Sequence, residues 1–251
     1  MNQNVYFISD VHLHLYDSPD EKVKRERLFE FLAEVRRNKG ALYILGDLFD
    51  FWFEYRTVIP GFYLPVLCQL RETVRAGCEL HFLGGNHDYW VGSFFANTLG
   101  ITVHYNPIDI LISGHRFHLT HGDGILRSDR GYRLMRYFFR NPLCIRLFGL
   151  LHPDLAYRLG AKISGKSRRL TQRSSSLEAS DRQEIIAYGL TQLAAGAEFV
   201  ITGHFHLPTE FRTEMGTIFN LGDWMKYFSF AYFNGQNMRL CYWPQNRSDQ
   251  E

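Results

Sequence analysis

Cysteine is scarce in this chain: four in 251 residues, Cys68, Cys78, Cys144 and Cys241, none in a Cys-x-x-Cys pair. Neither a disulfide framework nor a thiolate zinc site is suggested, and the usage fits a reducing compartment. Long hydrophobic runs are absent too. No stretch approaches the ~18 uninterrupted apolar residues of a membrane span, and the first apolar run meets Asp10 too soon for a signal peptide. There is no internal repeat and no low-complexity linker. These absences point to a folded cytoplasmic protein, either one large α/β domain or a domain carrying an insertion.

No excess of one charge sign marks the chain as a whole, whose net charge is +2. The charge is unevenly placed, however. Residues 124–180 hold twelve Lys and Arg against Asp129, Asp154 and Glu178, a local +9 that leaves −7 for the rest. Such asymmetry points to an anionic partner for that segment.

What the chain does have is a rhythm of short apolar runs that each end in polar residues. Residues 4–9 read as a buried strand leading into Asp10-Val11-His12. Val23, Leu28, Phe31, Leu32 and Val35 at helical spacing predict an amphipathic helix over 20–38. Ala41–Leu45 is the next strand and delivers Gly46-Asp47; residues 62–76 read as helix, and Leu80–Leu83 as a strand followed by Gly84–Asp88. This is the βαβ alternation of a layered α/β fold. Residues 101–105, 109–113 and 116–120 are short alternating runs, the last presenting His121-Gly122-Asp123. Residues 124–175 lack strand signal and read as helical stretches cut by Pro142 and Pro153. A helix resumes over 178–195, and the strand 198–201 delivers Gly203-His204-Phe205-His206. Residues 209–243 alternate strongly and predict antiparallel strands closing a sheet.

Five polar tips therefore stand in order, ending in Asp10/His12, Asp47, Asn86/His87/Asp88, His121/Asp123 and His204/His206. A lone Asp-x-His or Gly-Asp is more often a turn than a ligand; His-x-His is more specific, because two imidazoles with one spacer seldom serve packing. Five such tips on successive strands are hard to reach by accident. Alternate residues at an extended strand end face one side, so Asp10 with His12 and His204 with His206 can reach a shared centre. Carboxylate, imidazole and amide ligands without thiolate suit a dinuclear site for Mn, Fe or Zn. A pair of ions ~3.5–4 Å apart can clamp both oxygens of an in-line phosphoryl displacement.

This ordered set resembles the calcineurin-like metallophosphoesterase superfamily, whose blocks Asp-x-His, Gly-Asp-x-x-Asp, Gly-Asn-His-Asp, a His-bearing strand end and Gly-His-x-His are all intact between residues 10 and 206. The resemblance implies an α/β sandwich of two mixed β-sheets flanked by helices, with a helical cap over 124–177. It implies one metal held by Asp10, His12, Asp47 and His206, and a second held by Asp47, Asn86, His121 and His204, with Asp47 bridging. It also implies that His87 sits over the scissile phosphate and that Asp50 orients its imidazole.

Within the superfamily the chain is similar to the UDP-2,3-diacylglucosamine hydrolase group of lipid A synthesis. The signs are Tyr43–Phe49 followed by an aromatic run, then His121-Gly-Asp with Asp129, Gly131 and Tyr132, then a basic helical insertion. Members of that group split a nucleotide-linked diacyl sugar into UMP and an acylated sugar 1-phosphate. The best-known members carry Arg where this chain has His87. The resemblance makes Asn86, His87, Asp129, Tyr132, Ser167 and His204 candidate substrate contacts, and Mn the expected metal. Arg130, Arg133, Arg136 and Arg140 fall within about one third of a helix circumference at ~100° per residue. Such a helix could lie on the inner membrane surface or cover an anionic lipid, and Leu143–Leu151 reads as an acyl-binding lid. No nucleic-acid partner is expected on this reading. The alternative is a phosphoesterase acting on another nucleotide or phosphodiester; a non-catalytic scaffold would lack ligands, and none is lacking.

Overall fold

The computed structural model describes residues 4–126, 137, 140–171 and 175–244. Strands β1 (Val5–Ile8), β2 (Ala41–Ile44) and β3 (Leu80–Leu83) are almost entirely buried four-residue runs. Continuous apolar runs of that kind suit parallel strands covered on both faces, and all three pair in parallel. β4 (Thr102–His104) extends the sheet in parallel, while β10 (Ser229–Phe233) and β11 (Met238–Tyr242) add antiparallel strands, giving the order β11-β10-β1-β2-β3-β4. A second mixed sheet, β5-β6-β7-β9-β8, is built from β5 (Ile108–Ile112), β6 (His115–Thr120), β7 (Phe199–Thr202), β8 (Thr209–Thr213) and β9 (Gly216–Asn220).

The sheets face each other across one core. Phe7, Tyr43, Leu45 and Leu83 from the first meet Phe117, Leu119, Ile201 and Phe219 from the second. Helices α1 (Pro19–Arg37) and α2 (Leu64–Arg75) cover the outer face of the first sheet through Leu28, Phe31, Leu32, Val66 and Leu70. Helix α5 (Ser175–Ala194) covers the second through Ile186, Leu190 and Leu193. The result is a sandwich of two mixed sheets flanked by helices.

Two details differ from the sequence expectation. Val23 is 44% exposed, and the first turns of α1 are buried through Glu21 and Lys24 instead. The strands after residue 209 do not close a single sheet. β8 and β9 join the second sheet, with β9 parallel to β7, whereas β10 and β11 join the first. Alternation reports one covered face but not which partner covers it. Pro142 and Pro153 do cut the helical segment, each standing at the first position of a separate helix, α3 (Pro142–Phe148) and α4 (Pro153–Thr171). A proline there loses no helical hydrogen bond.

The aromatic run after β2 joins α3 and α4 to the body. Phe49 and Trp52 pack inward with Tyr63 and Phe95. Phe51 and Phe53 turn the other way, onto Phe148 of α3, with Phe51 also on Tyr157 of α4. The Tyr157 hydroxyl donates to the Phe53 carbonyl at 2.7 Å.

Candidate metal centre

Because β1, β2 and β3 run parallel in one sheet and β6 and β7 in the other, their carboxyl ends share one edge of the sandwich, where ligands gather in α/β folds. Main-chain bonds fasten the tips together. The Asp10 amide donates to the Gly46 carbonyl at 3.1 Å, that of His12 to Asp47 at 2.9 Å, and that of Gly203 to His121 at 2.9 Å. Two further bonds cross between the sheets: the His204 amide donates to Asp10 Oδ2 at 2.8 Å, and His121 Nδ1 to the Leu45 carbonyl at 2.7 Å.

The backbone is strained where the candidate ligands lie. Eight non-glycine described residues have positive φ, and five of them are Asp10, His12, Asp47, His204 and His206, at 47° to 71°. Each such residue costs about 1–3 kcal/mol and persists only where its surroundings impose it. The glycines of the motifs serve close approach. A Cβ on Gly85 would strike the Asp47 carboxylate, and one on Gly203 would come within 2.6 Å of Ser9 Oγ and 2.8 Å of Asp10 Oδ2.

Three groups of side chains converge, each with ligand atoms within 4.8 Å of one another: Asp10, His12 and His206; His12, Asp47 and His87; Asp47, His121 and His204. Asp10 Oδ1 lies 3.6 Å from both His12 Nε2 and His206 Nε2. Asp47 divides its oxygens. Oδ1 accepts the His87 amide at 2.9 Å, while Oδ2 faces His12 Nε2 at 3.6 Å and His121 Nε2 at 3.5 Å.

These atoms fit divalent cations. A carbonyl can only accept, so His121 carries its proton on Nδ1, and in the neutral ring Nε2 is a lone pair. That lone pair faces Asn86 Oδ1 at 3.1 Å and Asp47 Oδ2 at 3.5 Å. Lone pair against lone pair is repulsive unless a positive charge lies between them. Asp10 Oδ1 and both ring nitrogens of His12 are buried without a hydrogen-bond partner. No lysine or arginine among the described residues pairs with Asp10 or Asp47.

The electrostatics carry the same message. Burial would lower the His121 imidazole, but the Asp47 carboxylate, with Asp10 and Asp123, outweighs it and pushes the group up to about 10. Burial and the neighbouring His121 bring His204 down to about 4. Asp10 falls to about 2, because His206, His12 and His121 overcome its burial. A field that draws a proton onto a buried imidazole also holds a metal ion. The oxygen and nitrogen donor set matches ions of borderline or hard character.

A family model described as calcineurin-like phosphoesterase matches residues 4–208. The chain belongs to the calcineurin-like phosphoesterase family. This phosphoesterase is 35% identical to UDP-2,3-diacylglucosamine hydrolase of Porphyromonas gingivalis, over 96% of this chain and 97% of that one. It is 33% identical to the protein of the same name from Pseudomonas paraeruginosa, over 88% and 91% of the two chains. Among solved structures, a phosphoesterase from E. coli aligns over 99% of this chain and 96% of its own with TM-score 0.48 and 17% identity.

In this phosphoesterase the structure brings Asp10, His12, Asp47, Asn86, His87, His121, His204 and His206 to one edge. Asp50 is also there, but its contact with His87 is not the one expected of a carboxylate. His87 Nδ1 donates to the Asp50 backbone carbonyl at 2.9 Å. The Asp50 carboxylate lies 3.8 Å from His12 Nδ1 and accepts the Ser164 hydroxyl of α4 at 2.6 Å. Asp129 and Tyr132 lie outside the described residues, as do Arg130, Arg133 and Arg136 of the basic stripe and the side chain of Ser167. Arg140 pairs with Asp123 at 3.1 Å and stacks over Tyr89.

One carboxylate escaped the sequence reading, Asp223, and another, Asp88, was placed in a polar tip without a role. Asp223 Oδ2 lies 3.5 Å from His206 Nδ1; its signal was legible, since Leu221-Gly222-Asp223 repeats the strand-then-Gly-Asp pattern of Asp47. Asp88 clamps the loop, accepting the amides of Asp47 and Gly85 at 3.0 Å and of Phe49 at 3.2 Å. Burial, with the Asp47 charge, pushes its carboxyl up to about 7.

Proposed function

We propose that this phosphoesterase hydrolyses the pyrophosphate bond of UDP-2,3-diacylglucosamine to UMP and 2,3-diacylglucosamine 1-phosphate, a step of lipid A synthesis. The observation that carries the chemistry is Asp47 Oδ2, one oxygen facing a histidine of each cluster at 3.6 and 3.5 Å. The reading places one ion on Asp10, His12, Asp47 and His206 and a second on Asp47, Asn86, His121 and His204, with Mn preferred to Fe or Zn. When bound, such a pair supplies Lewis acidity to the phosphoryl oxygens and an acidified water.

The chain's own groups do the rest. Water oxygen bonds to phosphorus, the bridging P–O bond breaks, and the leaving phosphate keeps the electron pair. His87 is tethered through Nδ1 to the Asp50 carbonyl, so Nε2 is the nitrogen left for the reacting phosphate. As imidazolium it donates a hydrogen bond or proton to the departing oxygen. His206 is held by Asp223, and His121 by the Leu45 carbonyl, which fixes each ring as a ligand needs. Asn86, His87 and His204, with Asp129, Tyr132 and Ser167, are the proposed substrate contacts.

Residues 124–177 act on this reading as a cap that meets lipid. Leu143, Leu147, Leu150, Leu155, Leu159 and Ile163 are exposed, beside the exposed Arg146, Arg158 and Lys162. An apolar face edged by basic residues suits an anionic lipid surface, which supports a peripheral position at the cytoplasmic face of the inner membrane. No helix among the described residues is long and apolar enough to cross a membrane.

The deciding experiment supplies Mn²⁺ and offers UDP-2,3-diacylglucosamine in detergent beside a generic phosphodiester. Rapid UMP release with little turnover of the generic ester is expected. Turnover of the generic ester alone would discard the lipid role and leave a phosphodiesterase of another nucleotide or diester.

A further inference from the structure

Helix α4 carries Tyr157, Gly160 and Ser164 at spacings of three and four, which place them on one face. The first two explain how the helix is seated. The Tyr157 hydroxyl is bonded to the main chain of Phe53, and Gly160 makes room for the Phe51 ring, which a Cβ there would strike. Ser164 makes a contact that seating does not need. It lies one turn further on and is buried, and its hydroxyl donates to Asp50 Oδ1 at 2.6 Å.

The same oxygen faces the metal edge. Asp50 Oδ1 lies 3.8 Å from His12 Nδ1, while His12 Nε2 points the other way, 3.6 Å from Asp10 Oδ1 and from Asp47 Oδ2. An imidazole that binds an ion through Nε2 carries its proton on Nδ1, so in the loaded site that N–H is turned to Asp50. At 3.8 Å this is an attraction of charge rather than a hydrogen bond, and both groups are buried, where water screens little.

The main chain fixes only the root of this carboxylate. The Asp50 amide donates to the Leu13 carbonyl at 2.9 Å, one residue past His12, and the Leu13 amide donates to the Leu48 carbonyl at 3.0 Å. The terminal torsion of an aspartate is broad, so these bonds leave its oxygens free to turn. The hydroxyl from α4 sets where Oδ1 stands.

We propose that Ser164 is a positioning residue for the metal centre: it holds the Asp50 carboxylate behind His12, so that tight binding of the ion on His12 requires α4 as well as the strand-end loops. This rests on the reading of the edge as a metal centre. It gives α4 a part in building that centre, separate from any contact with lipid.

The test titrates Mn²⁺ into the EDTA-stripped protein by calorimetry, with no substrate present. Loss of an outer partner of a ligand costs about 10–100-fold in metal affinity, so Ser164→Ala is expected to weaken binding about tenfold. Ser164→Cys keeps nearly the same shape but is a weak donor. It should show a loss of the same order, and it serves where alanine disturbs the helix. Groups that act through one another are not additive, so in an Asp50→Asn background Ser164→Ala should change affinity by less than about twofold. Tyr157→Phe is the control for seating alone, and should lower the unfolding temperature while Mn²⁺ affinity stays within about twofold. Unchanged affinity in both Ser164 variants, a full loss in the Asp50→Asn background, or an equal loss in Tyr157→Phe overturns the proposal. Failure of the unaltered protein to bind Mn²⁺ would sink the metal centre itself, whereas binding indifferent to Ser164 sinks the positioning role alone.

Discussion

The ammonium of Lys24 donates to the backbone carbonyl of His12 at 2.5 Å and to the Glu21 carboxylate at 2.8 Å. A buried ion pair on α1 thus grips the main chain of a candidate metal ligand at the residue where φ is +47°. Glu21 also accepts the His14 amide at 3.1 Å, so both sides of the turn are held. Burial raises the Glu21 carboxyl even against the attraction of Lys24, which marks this pair as costly to half-remove. Lys24→Met should destabilise the fold by about 3–5 kcal/mol, because it strands a buried carboxylate. Glu21→Leu with Lys24→Met should recover part of that loss in urea unfolding, yet bind Mn²⁺ more weakly than the unaltered protein. Recovery of both would show that the pair serves stability only.

Asp47 and His12 each belong to two of the converging groups, but only Asp47 turns a single oxygen toward both His12 and His121. Asp47→Ala should therefore remove bound metal and activity together, rather than either one. Metal content per chain, measured after dialysis against Mn²⁺, checks this. Retention of two ions would sink the assignment of Asp47 as a bridge.

His87 and Asp50 make separable predictions. His87→Ala leaves the proposed ligands in place and should keep the metals while slowing turnover by ~10²–10⁴, the usual span of lost acid–base assistance. The group that fixes the His87 tautomer is the Asp50 carbonyl, which survives substitution. Asp50→Asn should accordingly leave the shape of the pH–rate profile unchanged. Its effect should fall on metal affinity, through His12 at 3.8 Å. A shifted alkaline limb in Asp50→Asn, the limb that a general acid controls, would instead assign the carboxylate to His87.

The sequence made the edge of this molecule readable because strand-end motifs are local. Asp10, Asp47, His121 and His204 each follow directly on an apolar run, and parallel pairing brings such ends together. Contacts between distant segments left no comparable trace. Nothing near Lys24 announces a bond to His12 twelve residues earlier, and nothing near Ser164 announces Asp50, 114 residues away. The carbonyl that holds His87 was unreadable for another reason, since any residue supplies a carbonyl. The split of residues 209–243 between two sheets was hidden because alternation is the same on either sheet.

Protons and metal ions compete for His121. Its imidazole is pushed from 6.5 up to about 10 in the metal-free site, chiefly by Asp47 against the effect of burial. A group raised on folding contributes stability that is complete below its unfolded value and is lost as pH rises through the folded one. The EDTA-treated protein should therefore lose stability between about pH 6.5 and pH 10, while the Mn²⁺-loaded protein should not. At pH 8, Mn²⁺ binding should release about one proton, visible as a dependence of the binding enthalpy on buffer ionisation. His121→Gln should abolish both effects, and a buffer-independent enthalpy in the unaltered protein would refute the argument.

The exposed face of α4 decides whether the phosphoesterase meets its substrate on a membrane. Ala156 and Ser164 turn toward the body, and Leu155, Leu159 and Ile163 turn outward at 56%, 41% and 46% exposure. Helical periodicity puts these three on one stripe, with Arg158 and Lys162 beside it. Leaving three large aliphatic side chains in water forfeits about 1.5–3 kcal/mol each relative to burial, which a lipid surface would restore. Glutamine at all three positions should abolish sedimentation with vesicles containing anionic lipid, and should leave hydrolysis of a soluble phosphodiester within about twofold, since none of the three touches the metal edge. Charge alone would give a different result. If Arg158→Gln with Lys162→Gln abolished binding while the triple glutamine variant retained it, the stripe would be packing surface and the attraction purely electrostatic, falling steeply with salt.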